Sequence, residues 1–134
     1  MKEIVIDAKV ENLPQVLEFI DSELVVAECK MKDQMKIDMA VEELYVNIAH
    51  YAYRDKVGKA EITFDVDDKN RAVITLIDSG IHYDPLAKED PDVTLSAEER
   101  KIGGLGIYMV KNSMDDVLYE YVDGKNKTTI IKNL

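Results

Sequence analysis

Glu61-Ile62-Thr63-Phe64-Asp65-Val66-Asp67-Asp68-Lys69-Asn70-Arg71-Ala72-Val73-Ile74-Thr75-Leu76-Ile77 is the stretch that decides the fold. Ile62, Phe64 and Val66 alternate with Glu61, Thr63 and Asp65, the two-residue period of a half-buried strand. Asp67-Asp68-Lys69-Asn70 has turn chemistry, and Ala72–Ile77 is a nearly continuous apolar run. The two runs predict an antiparallel hairpin.

Upstream of Gly58 the period is helical. Residues 3–8 read as a short strand, after which Asn12-Leu13-Pro14-Gln15 offers a capping side chain followed three residues later by Gln. Leu13, Val16, Leu17, Ile20, Leu24 and Ala27 then form one apolar stripe, predicting a helix to about residue 29. A second helix is predicted from near Asp33 to near Arg54, with Ile37, Val41, Leu44, Ile48 and Ala52 as its buried face. Downstream, residues 86–102 show no sustained period beyond a short helical run at Ser96–Glu99. A structureless loop of that length in a compact domain is functional or disordered. A third helix is predicted from Gly104 to about Met114. Val117–Val122 and Lys127–Ile131 flank Asp123-Gly124, a strong hairpin signal. Strands and helices come in separate runs, so the expected class is α+β. The expected architecture is a two-layer sandwich, with a mostly antiparallel sheet of about five strands and three or more helices on one face. Residues 1–134 read as a single domain.

Bulk properties narrow the function. Acidic residues outnumber basic ones, 27 to 17, for a formal charge of −10. That balance argues against direct nucleic-acid binding, which draws on Lys and Arg. Cys29 is the lone cysteine, so no disulfide forms within the chain. The start, Met1-Lys2-Glu3-Ile4-Val5-Ile6-Asp7, does not resemble a signal peptide, and no run approaches the roughly 20 apolar residues of a membrane span. The expected location is cytoplasmic, without membrane association.

Three motifs carry chemistry. Glu43, Asn47, His50 and Arg54 recur at four, three and four residues, which on a regular helix places them within roughly 60° of one another. An amide oxygen suits a hard cation such as Mg²⁺, and a carboxylate one turn earlier can take a proton from a hydroxyl. His50 fits a structural role better than a metal-binding one, since His82 shows no chelating spacing to it. Asp78-Ser79-Gly80 closes the apolar strand with an acceptor-only side chain that could read an exocyclic amine. Gly103-Gly104-Leu105-Gly106 opens the third helix, where backbone N–H groups can meet a phosphate. Each motif alone also fits a bland role: a solvated helix face, a strand-to-loop turn, a tight packing contact.

Their order is more specific. Ala40-Val41-Glu42-Glu43-Leu44-Tyr45-Val46-Asn47-Ile48-Ala49-His50 resembles the N box of the GHKL (Bergerat-fold) ATPases. Asp78-Ser79-Gly80-Ile81-His82-Tyr83-Asp84-Pro85 resembles their first glycine box and Gly103-Gly104-Leu105-Gly106-Ile107 their second, with the ATP lid at about 86–102. Within that class the chain is most similar to the small bacterial anti-sigma-factor serine/threonine kinases. Glu43 stands four residues before Asn47, Lys111-Asn112-Ser113-Met114-Asp115-Asp116 follows the second glycine box, and no phosphoacceptor-histidine helix or transducer domain is attached.

The resemblance implies ATP and Mg²⁺ as cofactors. By it, Asn47 ligates Mg²⁺, Glu43 is the catalytic base toward a Ser or Thr hydroxyl, and Asp78 reads the adenine amino group. Gly80 lets the base approach, while Gly104 and Gly106, followed by Ile107, present backbone to the phosphates. Arg100 or Lys101 could touch the γ-phosphate, although surface solubility explains both equally well. The implied partners are a STAS-type anti-anti-sigma protein and, more loosely, a sigma factor, with a homodimer left open. The alternative is a non-catalytic, ATP-gated module that sequesters a regulator; a degenerate domain binding no nucleotide is the bland limit. Two departures stand out. Ile81-His82-Tyr83 replaces the small-residue-then-Phe pattern of the first glycine box, and Glu42 neighbours Glu43, with helical phase favouring Glu43 as the base.

Overall fold

The expected hairpin lies inside a five-stranded sheet. A computed structural model describes residues 1–54, 56–87 and 104–134, with backbone alone at 104 and 105. The strands are β1 (Lys2–Asp7), β2 (Lys59–Val66), β3 (Arg71–Asp78), β4 (Asp116–Val122) and β5 (Lys125–Asn133), in the order β1-β2-β3-β5-β4. Every pairing is antiparallel. Alternate residues point to one side: Ile62 and Phe64 from β2, Ile74 and Leu76 from β3, and Ile130 from β5 are almost fully buried. The second hairpin turns through Asp123 and Gly124, both at positive φ (54° and 75°), the turn that matches strand twist.

Helices α1 (Leu13–Val26), α2 (Met31–Asn47) and α3 (Gly104–Ser113) cover that buried face. Val16, Ile20 and Leu24 from α1, Ile37, Val41 and Leu44 from α2, and Ile107 and Val110 from α3 join the strand residues in one core. The α+β two-layer sandwich is therefore as the residue patterns predicted. Among the described residues no helix is long and apolar enough to cross a membrane.

Three local expectations need correction. Asn12 precedes α1 but makes no capping bond; its Nδ2 instead donates to the Asp7 carbonyl at 2.9 Å, tying the helix entry to the end of β1. Helix α1 stops three residues short of the expected end. Glu28 takes φ 58°, and the Cys29 N–H bonds back to the Leu24 carbonyl, a left-handed C-terminal closure. The third concerns the second helix. Its α-helical part ends at Asn47, and Ile48–Ala52 forms a π-helical turn before the chain leaves extended at Tyr53. Apolar spacing of three and four residues does not register one extra residue per turn, so the π segment was invisible in the pattern.

Tyr45, fully buried, anchors α2. Its hydroxyl oxygen lies 2.7 Å from the Lys9 carbonyl oxygen and 3.0 Å from that of Asp7, and it accepts the Lys9 N–H at 3.2 Å. One buried phenol thus fixes the angle at which α2 meets the sheet.

A second polar contact joins α1 to α2. The Asp21 and Asp38 carboxyls share a hydrogen bond, while Oδ1 of each is shut from water with no partner. Burial, followed by the hydrogen bond from Asp21 and its charge, pushes the Asp38 carboxyl from 3.8 up to about 7. The folded state therefore holds a proton that the unfolded chain has released. This contribution to stability is present below about pH 4 and is lost as pH rises toward about 7. Asp38→Asn should flatten that dependence. Chemical denaturation should find the variant close to the parent near pH 4 and more stable by about 1 kcal/mol near pH 8; equal stabilities at both values would contradict the shared proton.

Candidate active site

The end of α2, its π-helical turn and the C-terminal end of β3 enclose a cleft of about 710 Å³. Asn47, His50, Tyr51, Ala52 and Arg54 line one side, Ile81, Tyr83 and Pro85 another, and Leu76, Asp78, Asn126 and Thr128 the floor. That volume is in the range of small-molecule sites, and the mix of apolar walls with a few polar groups is typical of them. The π-helical turn does not separate Asn47, His50 and Arg54, which all reach this cleft. Glu43 is the member of the stripe that does not line it.

Glu43 lines instead a neighbouring groove of about 460 Å³ between α2 and α3, with Lys36, Met39, Glu42, Val46, Gly106 and Met109. The two hollows meet at one hydrogen bond: Asn47 Nδ2 donates to Glu43 Oε1 at 3.3 Å. With its amide nitrogen so engaged, Asn47 is left with its carbonyl oxygen as a ligand, the donor type Mg²⁺ prefers. Among the described residues no group of three or more His, Cys, Asp or Glu could hold a metal. A single amide oxygen is nevertheless adequate for an ion that takes its remaining ligands from phosphates and water. The residues present therefore fit a Mg-nucleotide.

Asp78 is 6% exposed and sits at the cleft floor. Its Oδ1 accepts the Gly80 N–H at 2.9 Å and Asn126 Nδ2 at 3.0 Å. Among the described residues no group donates to Oδ2, which leaves an acceptor for an amino group brought by a ligand. Gly80 has a reason for being glycine besides ligand access. A Cβ there would collide with the Ala52 carbonyl, and the neighbouring Ile81 N–H donates to that same oxygen at 3.0 Å. The strand end is thus latched to the π-helical turn, and Tyr53 adds a second latch by accepting the Ser79 N–H and donating to the Lys59 carbonyl.

At the opening of α3, Gly106 lies against the Glu43 carboxylate, with no room for a side chain between them. Ile107 is buried in the core, so its side chain serves packing and its backbone alone is left for a ligand. Gly104 contributes backbone to the first turn of α3. Gly103, Arg100, Lys101, the Ser96–Glu99 helix and the lid from residue 88 onward lie outside the described residues.

The residue that sequence reasoning missed is Asn126. Buried to 5% exposure and paired in register with Asp78, it donates to Asp78 and to the Ile81 carbonyl at 2.8 Å, and accepts the Tyr83 N–H at 3.1 Å. Tyr119 Oη also donates to it. One amide thereby holds the acidic floor of the cleft and the rim residues Ile81 and Tyr83 in a fixed relation. The available signal was polarity on the inward phase of β5, since Asn126 and Thr128 alternate with the same period as Ile130. His82 lies beside this network, stacked on Tyr121 at 4.1 Å between ring centres.

With the fold and cleft in view, comparison with known proteins identifies the class. The model of the histidine kinase-like ATPase domain family matches residues 6–132, and the chain belongs to that family. Among named relatives it is similar to the serine-protein kinase RsbW of Bacillus cereus (strain AH820) and of Bacillus thuringiensis (strain Al Hakam). Each is 32% identical over 96 residues, covering 69% of this chain and 58% of the relative. The matched region thus spans less than two thirds of those kinases. Among solved structures, that of the RsbU and RsbW domains of Rv1364c from Mycobacterium tuberculosis superposes with a TM-score of 0.70 at 15% identity, over 100% of this chain and 33% of that one. The structural likeness supports the fold.

Proposed function

We propose that this chain is an ATP-dependent serine/threonine-protein kinase of the anti-sigma-factor type, acting in the cytoplasm as one ATPase domain spanning residues 1–134. The observation that carries this reading is the Asn47–Glu43 hydrogen bond, which joins a nucleotide-sized cleft to a groove holding a carboxylate. A domain that only bound nucleotide would have no use for a base at that junction.

In this reading Asp78 Oδ2 accepts from the adenine amino group, and the Asn47 amide oxygen would hold Mg²⁺, which would supply positive charge against the phosphates. Backbone N–H groups of Gly104, Gly106 and Ile107 face the phosphates, and Arg100 or Lys101 supplies a cation to the γ-phosphate. Glu43 takes the proton of the acceptor Ser or Thr hydroxyl as its oxygen bonds to the γ-phosphorus. The bond from that phosphorus to the bridging oxygen breaks, and ADP leaves with the electron pair. Transfer of this kind asks the protein mainly for positioning and charge stabilisation. The acceptor in this reading is a STAS-type anti-anti-sigma protein, with sequestration of a sigma factor as a second activity, as the resemblance to anti-sigma-factor kinases implies; the serine-protein kinase relatives support the kinase part.

Incubation with Mg-ATP and the STAS-domain proteins of the same cell, followed by mass spectrometry, tests the reading. One of those proteins should gain a phosphate on Ser or Thr. Nucleotide binding with no phosphate on any of them would favour a non-catalytic, ATP-gated module.

A further inference from the structure

The outward face of α2 is unusual for a solvated helix. Met31, Met35 and Met39 follow one another at four-residue spacing and are 69%, 60% and 53% exposed. Across the groove Met109 of α3 is 45% exposed, and Val46 completes the apolar wall beside Glu43. Exposed apolar surface gathered in one place marks an interaction site, and methionine suits surfaces that adapt to a partner. Lys36 and Glu42 supply polar groups at the same groove.

What occupies the groove follows from Glu43. Its carboxylate lines the groove and not the cleft, so a hydroxyl that it deprotonates must arrive from the groove side, while the nucleotide enters from the cleft side. We propose that the α2–α3 groove is the docking site for the phosphoacceptor segment of the protein substrate: a short stretch carrying Ser or Thr, with an apolar side chain next to it seated between Met39 and Met109. This rests on the kinase reading above and adds its route of substrate entry. Donor and acceptor reach the Asn47–Glu43 junction from different sides, so the protein substrate does not compete with nucleotide for space. Met39 and Met109 determine acceptor specificity without touching the nucleotide, which meets this groove at the Gly106 backbone alone.

The test is steady-state phosphorylation of a STAS-domain protein by the full chain and its Met39→Lys and Met109→Lys variants, with Met39→Leu as the conservative control. Both side chains replaced are exposed, and thermal denaturation should give unchanged midpoints. The expected result is a KM for the protein substrate raised at least tenfold by either Lys variant, restored in Met39→Leu, with KM for ATP unchanged. An unchanged protein KM in both Lys variants overturns the groove assignment while leaving the kinase reading in place. Absence of transfer by the unmodified chain to any STAS-domain protein overturns both. If sedimentation shows the parent as a dimer that Met39→Lys dissociates, with protein KM unchanged, the groove belongs to a second copy of this chain and the proposal fails.

Discussion

Glu43→Gln should bind Mg-ATP as the parent does and lose about 10²–10⁴ in the rate of phosphoryl transfer, the usual weight of a general base. Three observations set this expectation. Glu43 accepts from Asn47, so it stands next to the residue assigned to the metal. It lines the groove and not the cleft, so its removal subtracts nothing from the nucleotide's own walls. It also fills the space that Gly106 leaves without a side chain, and Gln at position 43 preserves that packing. Single-turnover transfer, measured beside calorimetric titration with Mg-ATP, separates the two effects. A transfer rate within threefold of the parent would remove Glu43 from the chemistry, and Glu42, which lines the same groove, would become the next residue to test.

Gly80→Ala should destabilise the fold by about 2–3 kcal/mol, the upper range for forcing a side chain into packed surroundings. The added methyl would meet the Ala52 carbonyl group, which is backbone and cannot rotate away. Relief requires moving the π-helical turn or the end of β3, and either movement breaks the Ile81–Ala52 hydrogen bond and shifts Asp78. Chemical denaturation without nucleotide checks this directly. If Gly80 served ligand access alone, the variant would be as stable as the parent and only Mg-ATP affinity would fall.

That contrast shows what was legible in the sequence. The strands were read from the alternation at Ile62, Phe64 and Val66, and from Asp123-Gly124, because burial on one face of a sheet and a turn at positive φ leave local marks. The juxtaposition of Glu43 and Asn47 was legible as well, since a four-residue step on an α-helix fixes it. The latch between Gly80 and Ala52 was not, because it joins residues 28 positions apart through an interruption in the helix that apolar spacing does not reveal. Asn126 was missed for a related reason. Its place opposite Asp78 depends on β5 pairing with β3 across the intervening residues 79–124, a choice of strand order that no local pattern encodes. The separation of cleft from groove likewise needed the relative placement of α2 and α3, which puts Glu43 in the groove beside Gly106 and outside the cleft.

The cleft floored by Asp78 and bordered by Asn47 is expected to hold a Mg-nucleotide. Isothermal titration of the full chain with Mg-ATP, repeated with Asp78→Asn, tests it most directly. Saturable heat at one nucleotide per chain is expected, with affinity at least tenfold weaker in the variant, because the amide oxygen stays engaged by Gly80 and Asn126 and an NH₂ donor then faces the adenine amine. No heat from the parent at high-micromolar protein, or equal affinity in parent and variant, would contradict it.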